Sequence, residues 1–252
     1  MSGTRPRVIF VNRVYWPSTA ATAQLLTDLA EGLASHGWEV HVIAAGEALG
    51  PRNGVAIHRT GGGEKHGGLV SRTLNYMRFI GRARRLVASL ARPGDIVVPM
   101  TDPPMLGAAV AGPALSGGAS IVHWIQDIYP EIVTAYVGTL AGLALGPLRQ
   151  NRDAAWRSAR CCVTLGESMA SAVAARGVPA AQTAIVPNWA PRELHNEPIA
   201  ESIAARRTAW GLADRFIIAY SGNLGRVHEF AAVLDAAEQL RAHPKIVFAF
   251  IG

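Results

Sequence analysis

The sequence has only two cysteines in 252 residues, and they are adjacent to each other. Neighbouring cysteines rarely form a disulfide together, and two are too few for a disulfide framework or a zinc site. We therefore predict that Cys161 and Cys162 are small residues buried on a strand in a reducing compartment.

The chain also lacks an unbroken hydrophobic run of the roughly 20 residues that a membrane span requires. Two apolar stretches, 105–119 and 132–148, are interrupted by proline and glycine, and buried or interfacial helices are expected there. Residues 1–7 are polar and lead directly into a strand, so no signal peptide is predicted. These features predict a cytoplasmic protein.

Two kinds of binding motif are missing as well. No Gly-x-Gly-x-x-Gly follows the first predicted strand and no acidic residue ends the second, so a nicotinamide-dependent oxidoreductase is poorly supported. The net charge is +6 and nearly all basic residues are arginine, but no interleaved aromatic and basic motif accompanies them. Nucleic acid is therefore not an expected partner, whereas a nucleotide or an anionic membrane fits the charge.

What the chain does have is a repeated alternation of apolar strands and amphipathic helices. Half of its residues are hydrophobic and 17% are charged, which provides for a sizeable core. The alternation predicts an α/β fold with a parallel sheet covered on both faces. Strands are predicted at 7–12, 38–45, 54–60, 95–100, 119–125, 160–165 and 182–188.

The pattern breaks once, in a polar segment with two prolines at 189–202. A new cycle follows, with helices at 199–210 and 229–242 and strands at 215–222 and 246–252. We therefore predict a first domain at 1–188, a linker at 189–202 and the incomplete start of a second α/β domain at 203–252. The last two strands should not extend the first sheet.

Candidate site residues follow the carboxyl ends of the strands, where parallel sheets bind ligands. After the first strand, a loop carrying Ser18 and Thr19 leads into a helix that contains Thr22. This loop suits an anion at the helix N-terminus, or is an ordinary connection. Asp102 follows the fourth long strand, where it either binds a ligand or caps the next helix.

The motif HWIQDIYPE at 123–131 places Gln126 and Asp127 at the end of another strand. A carboxylate there could accept a hydrogen bond from a sugar hydroxyl, or could cap the following segment. His123 lies within the strand and is expected to be a core residue.

A glycine-bracketed turn, SGNLGRVHEF at 221–230, follows the first strand of the predicted second domain. Gly222 and Gly225 permit close approach of the backbone to a phosphate. Arg226 offers a fork of donors suited to phosphate oxygens, and His228 could add another.

A basic amphipathic segment lies at 76–90. Its apolar face and its arginines, Arg78, Arg82 and Arg85, fall on opposite sides of a helix. Such a helix either lies on an anionic membrane or packs on the core with a solvated basic face.

Several of these segments, in order along nearly the whole chain, resemble GT-B glycosyltransferases of family 4, in the branch that makes colanic acid and other exopolysaccharides. The most specific are HWIQDIYPE and the PNWA that contains Asn188. The resemblance implies two Rossmann-like domains facing across a cleft, an acceptor site in the first and a nucleotide-sugar site in the second. It implies a retaining transfer without metal or cofactor, to a glycan acceptor that is lipid-linked.

The resemblance also implies residue roles. Asp127 and Arg226 would be catalytic, with Gly222, Asn223, Gly225 and His228 beside Arg226 on the donor phosphates. The acceptor cleft would contain Ser18, Thr19, Thr22, Asp102, Gln126, Asp127 and Asn188. The family's usual glycine pair is replaced by Ala20 and Ala21, its usual arginine by Asn223 and its usual lysine by His228.

The family's acidic donor-binding segment is absent before residue 252, so this chain alone is expected to turn over poorly. Two alternatives stay open. One is a non-catalytic subunit that binds acceptor or membrane and needs a second polypeptide. The other is a sugar-nucleotide epimerase of the same fold. Peripheral contact with the cytoplasmic side of the inner membrane is also expected.

Overall fold

The buried strand β1 (Arg7–Val11) lies inside the main sheet, with a parallel strand on each side. The structure is a computed structural model that describes residues 6–62, 68–132, 145–190, 199–222 and 230–251. The chain divides into two compact units, Met1–Pro191 and Arg192–Gly252.

The first unit alternates strands and helices as predicted. After β1 it contains α1 (Ala21–Ser35), β2 (Glu39–Ala44), β3 (Val55–Arg59), α2 (Leu69–Leu90), β4 (Ile96–Pro99), α3 (Leu106–Ser116), β5 (Ser120–Trp124), α4 (Gly146–Arg157), β6 (Cys161–Thr164), α5 (Glu167–Ala174) and β7 (Thr183–Ile185), the last preceded by a 3-10 turn at Ala180–Gln182.

The seven strands form one sheet in the order β3-β2-β1-β4-β5-β6-β7, and every neighbouring pair is parallel. The chain moves outward from β1 to β3 and then crosses to β4 on the other side of β1. This reversal makes the carboxyl ends of β1 and β4 the topological switch point, where open α/β sheets bind ligands. The predicted α/β fold with a parallel sheet is confirmed.

Two hydrophobic cores cover the two faces of this sheet. Ile9 and Val11 of β1 pack into a core shared with α2, α3 and α4. Val8 and Phe10, which alternate with them, pack into the other core with α1. Because successive strand residues point to opposite faces, a strand that is apolar throughout is buried on both sides.

Helix α1 ends in a glycine turn. The backbone of Gly37 has a positive φ of 86°, and the amides of Gly37 and Trp38 donate to Ala34 and Leu33 at 3.1 Å each. This is a Schellman motif, in which glycine avoids the penalty for the left-handed conformation.

Helix α2 begins at Leu69, well before the amphipathic segment recognised in the sequence. Its residues Phe79, Ala83 and Val87 are buried in the core. The interpretation of the segment 76–90 as a helix packed on the core is therefore confirmed for the face that carries these residues. The predicted buried helix in 105–119 is confirmed by α3, whereas residues 133–144 lie outside the described residues.

The two cysteines lie on β6 and both are free thiols. Cys162 is fully buried, and this burial, together with the neighbouring Cys161, raises its pKa to about 12. Cys161 is only half-buried. In the part of the chain that is described, no helix has both the length and the apolar composition needed to cross a bilayer.

Helix α3 offers a paired test of packing at two glycines. A Cβ at Gly107 would lie 2.6 Å from Nδ1 of the buried His123, whereas a Cβ at Gly112 would meet nothing within 4 Å. We expect Gly107→Ala to lower the free energy of unfolding by about 1–3 kcal/mol, because the added methyl group would force the buried ring to shift. Gly112→Ala should raise it by about 0.5–1 kcal/mol. Urea denaturation of both variants measures the difference, and equal stability would contradict this packing.

The second unit contains α6 (Ala200–Ala209), β8 (Phe216–Ser221), α7 (Ala231–Gln239) and β9 (Ile246–Ile251). Strands β8 and β9 pair in parallel as a separate sheet, so the expectation that they do not extend the first sheet is confirmed. Among the residues described in this unit, no side chain is classed as buried. Its apolar residues are therefore only partly shielded from water.

Candidate functional site

An ion pair joins the loops that follow β1 and β4. Arg13 donates from Nε and Nη2 to the two carboxylate oxygens of Asp102, at 3.0 Å each, and its backbone amide donates to the Asp102 carbonyl at 2.8 Å. Both side chains are about one-fifth exposed (20% and 24%). The paired geometry holds two charged groups at the switch point, where they are open to a ligand.

The alternative that Asp102 caps the next helix is wrong. Helix α3 begins at Leu106, its N-cap is Met105 with a positive φ of 66°, and no side chain caps it. Pro103 and Pro104 therefore precede the helix. The two-bond pairing with Arg13 holds the Asp102 carboxylate instead.

The start of α2 borders the same edge of the sheet. The Arg13 guanidinium lies 5.3 Å from the centre of the Tyr76 ring, and Arg72 donates to the Tyr76 hydroxyl at 3.5 Å. Because α2 connects parallel strands, its first turns lie at their carboxyl ends. These residues add positive charge and an aromatic surface beside Asp102.

Asp127 lies just beyond the end of β5, and its side chain is exposed. The surrounding protein removes part of its hydration, and the charge of Asp102 repels it, so its pKa is raised above the ordinary value. Burial and the carboxylate of Asp127 likewise raise the pKa of Tyr129. Asp102, Asp127 and Tyr129 therefore form one electrostatic cluster.

Gln126 and Asn188 form a reciprocal amide pair. Gln126 Nε2 donates to Asn188 Oδ1 at 3.1 Å, and Asn188 Nδ2 donates to Gln126 Oε1 at 2.9 Å. Gln126 is buried. The pair ties the end of β5 to the segment after β7 and so fixes the backbone that carries Asp127.

Trp189, within the predicted linker, belongs by its contacts to the first unit. Its ring stacks on Trp124 with centroids 5.9 Å apart, and its Nε1 donates to Asp28 of α1 at 3.0 Å. The PNWA motif therefore holds the last described segment of this unit against strand β5 and helix α1.

A partly buried charge cluster lies directly after this site. Glu131 accepts hydrogen bonds from Arg152 (Nη2 to Oε1, 3.0 Å, and Nη1 to Oε2) and from Arg176 (Nη2 to Oε1, 2.8 Å). Burial alone would raise the Glu131 pKa, but the two guanidinium groups outweigh it and lower the pKa to about 2. Arg152 also donates to the carbonyl of Tyr129 at 2.6 Å. The cluster thus fixes the turn that carries the candidate residues.

His123 is a core residue, as expected. Burial lowers its pKa to about 4, so the ring is neutral at physiological pH, and Nε2 lies 3.3 Å from the carbonyl oxygen of Ala155. A cavity of about 30 Å³ borders this ring and Asp127. It has room for one water molecule and is too small for a hexose.

The loop after β1 places its candidate residues at the start of α1. The side chain of Ser18 lies 3.4 Å from the amide of Ala20, and the carbonyl of Thr19 accepts from Gln24 at 2.7 Å. No side chain caps α1, and its first turn, which contains Thr22, has no acidic residue. An anion could therefore approach its free amides.

Gly222 is the one candidate donor residue within the described residues. It has a positive φ of 144° and its amide donates to Ile251 at 2.8 Å. Asn223, Gly225, Arg226 and His228 lie outside the described residues. The described residues contain no group of three or more His, Cys, Asp or Glu side chains that could hold a metal ion.

The structure adds residues that the sequence reasoning missed. Arg13 pairs with the candidate residue Asp102, and Tyr76 contacts Arg13. Arg152 and Arg176 hold the turn after Asp127 through Tyr129 and Glu131. Arg13 lies in the loop that follows β1. The rule that candidate residues follow the carboxyl ends of the strands, which selected Asp102, could therefore have identified it. The pairing of Arg152 and Arg176 with Glu131 spans 21 and 45 residues, and no local pattern predicts it.

The comparisons with known proteins agree with this arrangement. Residues 5–189 match the family described as glycosyl transferase 4-like domain. A relative in Escherichia coli K12, described as a colanic acid biosynthesis glycosyl transferase (WcaI), is 33% identical over 145 residues, which cover 55% of this chain and 34% of that protein.

Two solved structures share the fold. HepE from Anabaena, in complex with UDP and glucose, superposes with a TM-score of 0.63 at 14% identity, covering 96% of this chain and 60% of that one. The catalytic domain of starch synthase IV from Arabidopsis thaliana, bound to ADP and acarbose, has a TM-score of 0.69 at 12% identity, covering 99% and 69%. These likenesses show the GT-B fold. The match to the first unit identifies the chain as a member of the glycosyl transferase 4-like family.

Proposed function

We propose that the protein is a retaining glycosyltransferase. It moves a sugar from a nucleotide-sugar donor to a lipid-linked glycan acceptor in cell-surface polysaccharide biosynthesis, without a metal or cofactor. The observation that carries this proposal is the cluster of Asp102, Asp127 and Tyr129 at the switch point, in a unit that matches a glycosyl transferase family.

Asp127 is the proposed contact for the acceptor. Its exposed carboxylate accepts a hydrogen bond from the acceptor hydroxyl and orients that oxygen toward the anomeric carbon. The raised pKa makes the carboxylate a better hydrogen-bond acceptor than an ordinary aspartate. Gln126 and Asn188 hold the loop, while Asp102, Ser18, Thr19 and Thr22 border the acceptor.

The donor phosphates are assigned to the loop at 222–228. The glycines allow close approach, and Arg226, assisted by Asn223 and His228, neutralises the diphosphate as it leaves. In the reaction, the acceptor oxygen bonds to the anomeric carbon as the bond to phosphate breaks. The hydroxyl proton passes to the departing phosphate oxygen, and the new bond forms on the face that the phosphate leaves. The UDP and ADP in the two structures named above support a donor of this class.

The role of Arg226 predicts weaker donor binding in a variant. Arg226→Ala should weaken the binding of UDP about tenfold to a hundredfold, because a hydrogen bond to a charged group is worth about 1.5–3 kcal/mol. Arg241→Ala, on an exposed side chain of the same unit, is the matched control. Isothermal titration calorimetry gives both Kd values, and unchanged binding by Arg226→Ala would remove Arg226 from the donor site.

The proposed reaction is tested by the stereochemistry of its product. The protein is incubated with a nucleotide sugar and a lipid-linked or short-chain acceptor, and the new anomeric linkage is assigned by NMR. Retained configuration in an acceptor-linked product supports the proposal. Inverted configuration, or release of a free epimer, contradicts it.

A further inference from the structure

The first three turns of α2 carry an exposed apolar stripe, formed by Val70, Leu74 and Met77. These side chains are 74%, 50% and 63% exposed. With about 100° of rotation per residue, all three fall within one side of the helix, opposite the buried Phe79 and Ala83. Among the described residues, this stripe has no core to pack against.

Arginines flank the stripe. Helix α2 contains five arginines, at 72, 78, 82, 84 and 85, and no acidic residue. Arg78, Arg84 and Arg85 are exposed on the side that carries the stripe, whereas Arg82 donates to the carbonyl of Thr60. An apolar stripe bordered only by positive charge complements the surface of a bilayer rich in anionic lipids.

The other side of the same turns reaches the candidate site. Tyr76 contacts Arg13, and the pKa of Arg72 is raised by its hydrogen bond to Tyr76 and, more weakly, by the charge of Asp102. The stripe and the Arg13–Asp102 pair thus lie on different sides of the same turns of α2.

We propose that the exposed face of α2 docks the protein on an anionic phospholipid bilayer. Val70, Leu74 and Met77 insert among the headgroups and upper acyl chains, and Arg78, Arg84 and Arg85 contact lipid phosphates. The docking itself does not depend on the proposed function. Its consequence does: Arg13, Asp102 and Asp127 would lie at headgroup level, where the sugar of a lipid-linked acceptor lies.

The test uses vesicle co-sedimentation of the full chain. Vesicles of phosphatidylglycerol and phosphatidylethanolamine should bind the protein, vesicles of phosphatidylcholine should not, and about 0.5 M salt should weaken the binding. The triple variant Val70→Gln, Leu74→Gln, Met77→Gln should bind at least about tenfold more weakly, and so should Arg78→Gln, Arg84→Gln, Arg85→Gln.

The matched control changes three exposed apolar residues on other helices, as Leu115→Gln, Ile203→Gln, Leu234→Gln. It should bind as the parent does, and circular dichroism should show all variants folded. Absence of binding by the parent, or equal binding by parent and stripe variant, overturns the proposal. So does equal binding to neutral vesicles, which would indicate adhesion without the arginines.

The outcome separates docking from catalysis. Docking is supported if the stripe variant loses vesicle binding but keeps transfer to a water-soluble acceptor. If the parent binds vesicles through the stripe but transfers no sugar, the proposed function fails and docking stands. If transfer to the soluble acceptor occurs and no vesicles bind, docking fails alone.

Discussion

Asp127→Asn is expected to lower kcat for sugar transfer by about 10²-fold, the order of loss when a reacting group is misplaced by about 1 Å. The amide keeps the size of the side chain and removes the charge that would hold the acceptor hydroxyl. Donor binding should be unchanged, because the proposed phosphate contacts lie at 222–228. Initial rates and UDP titration on the same preparation measure both quantities.

The matched control for this variant is Asp214→Asn. Asp214 is exposed and belongs to the second unit, so the same loss of one charge there should leave kcat within about twofold, as for surface substitutions in general. If Asp127→Asn transferred sugar at the parental rate, the acceptor role of Asp127 would be refuted.

Glu131→Gln is expected to lower the free energy of unfolding by about 1–3 kcal/mol, because the buried Arg152 and the partly buried Arg176 would lose charged hydrogen-bond acceptors. Arg152 is 6% exposed and would retain Asp153 as its charged partner at 2.6 Å. Arg176 would lose a carboxylate partner as well. Urea denaturation followed by circular dichroism measures the loss.

The titration of the Glu131 carboxylate determines how this loss of stability depends on pH. Its pKa is lowered from 4.5 to about 2 in the folded protein. A lowered pKa means that stability is present above the unfolded value and disappears as pH falls through the folded value. The difference between parent and variant should therefore be full above about pH 5 and shrink toward pH 2.

An exposed ion pair supplies the control. Glu238, in the last turn of α7, and Arg241, just beyond its end, pair at 3.3 Å with side chains 71% and 79% exposed. Glu238→Gln should leave stability unchanged within error, since such pairs contribute little. A loss at Glu131→Gln no larger than at Glu238→Gln would mean that the cluster around Glu131 does not stabilise the turn.

Much of the fold could be predicted from the sequence because its signals are local. The alternation of Val8, Ile9, Phe10 and Val11 between two cores requires only an unbroken apolar run. Gly37 marks the end of α1 by its own backbone geometry. Such signals depend on neighbours within a few residues, which the sequence displays directly.

The candidate site could be predicted only in part, because its contacts join distant segments. Asp102 could be found from its place after β4. The alternative interpretation, that its side chain caps α3, is wrong because Arg13, 89 residues away, pairs with it. The start of α2 at Leu69 was missed because its first turns expose apolar residues. That departure from the usual pattern is the feature on which the proposed membrane contact rests.

The most direct test of the central claim, that Asp127 beside Asp102 orients the acceptor, is the pH dependence of kcat/KM for sugar transfer in the parent and in Asp102→Asn. Removing the neighbouring negative charge lowers the pKa of Asp127. The account predicts that the acidic limb of the profile in the parent lies at a higher pH than an unperturbed aspartate would give, and that it moves to lower pH in the variant. An acidic limb at the same pH in both proteins would contradict it.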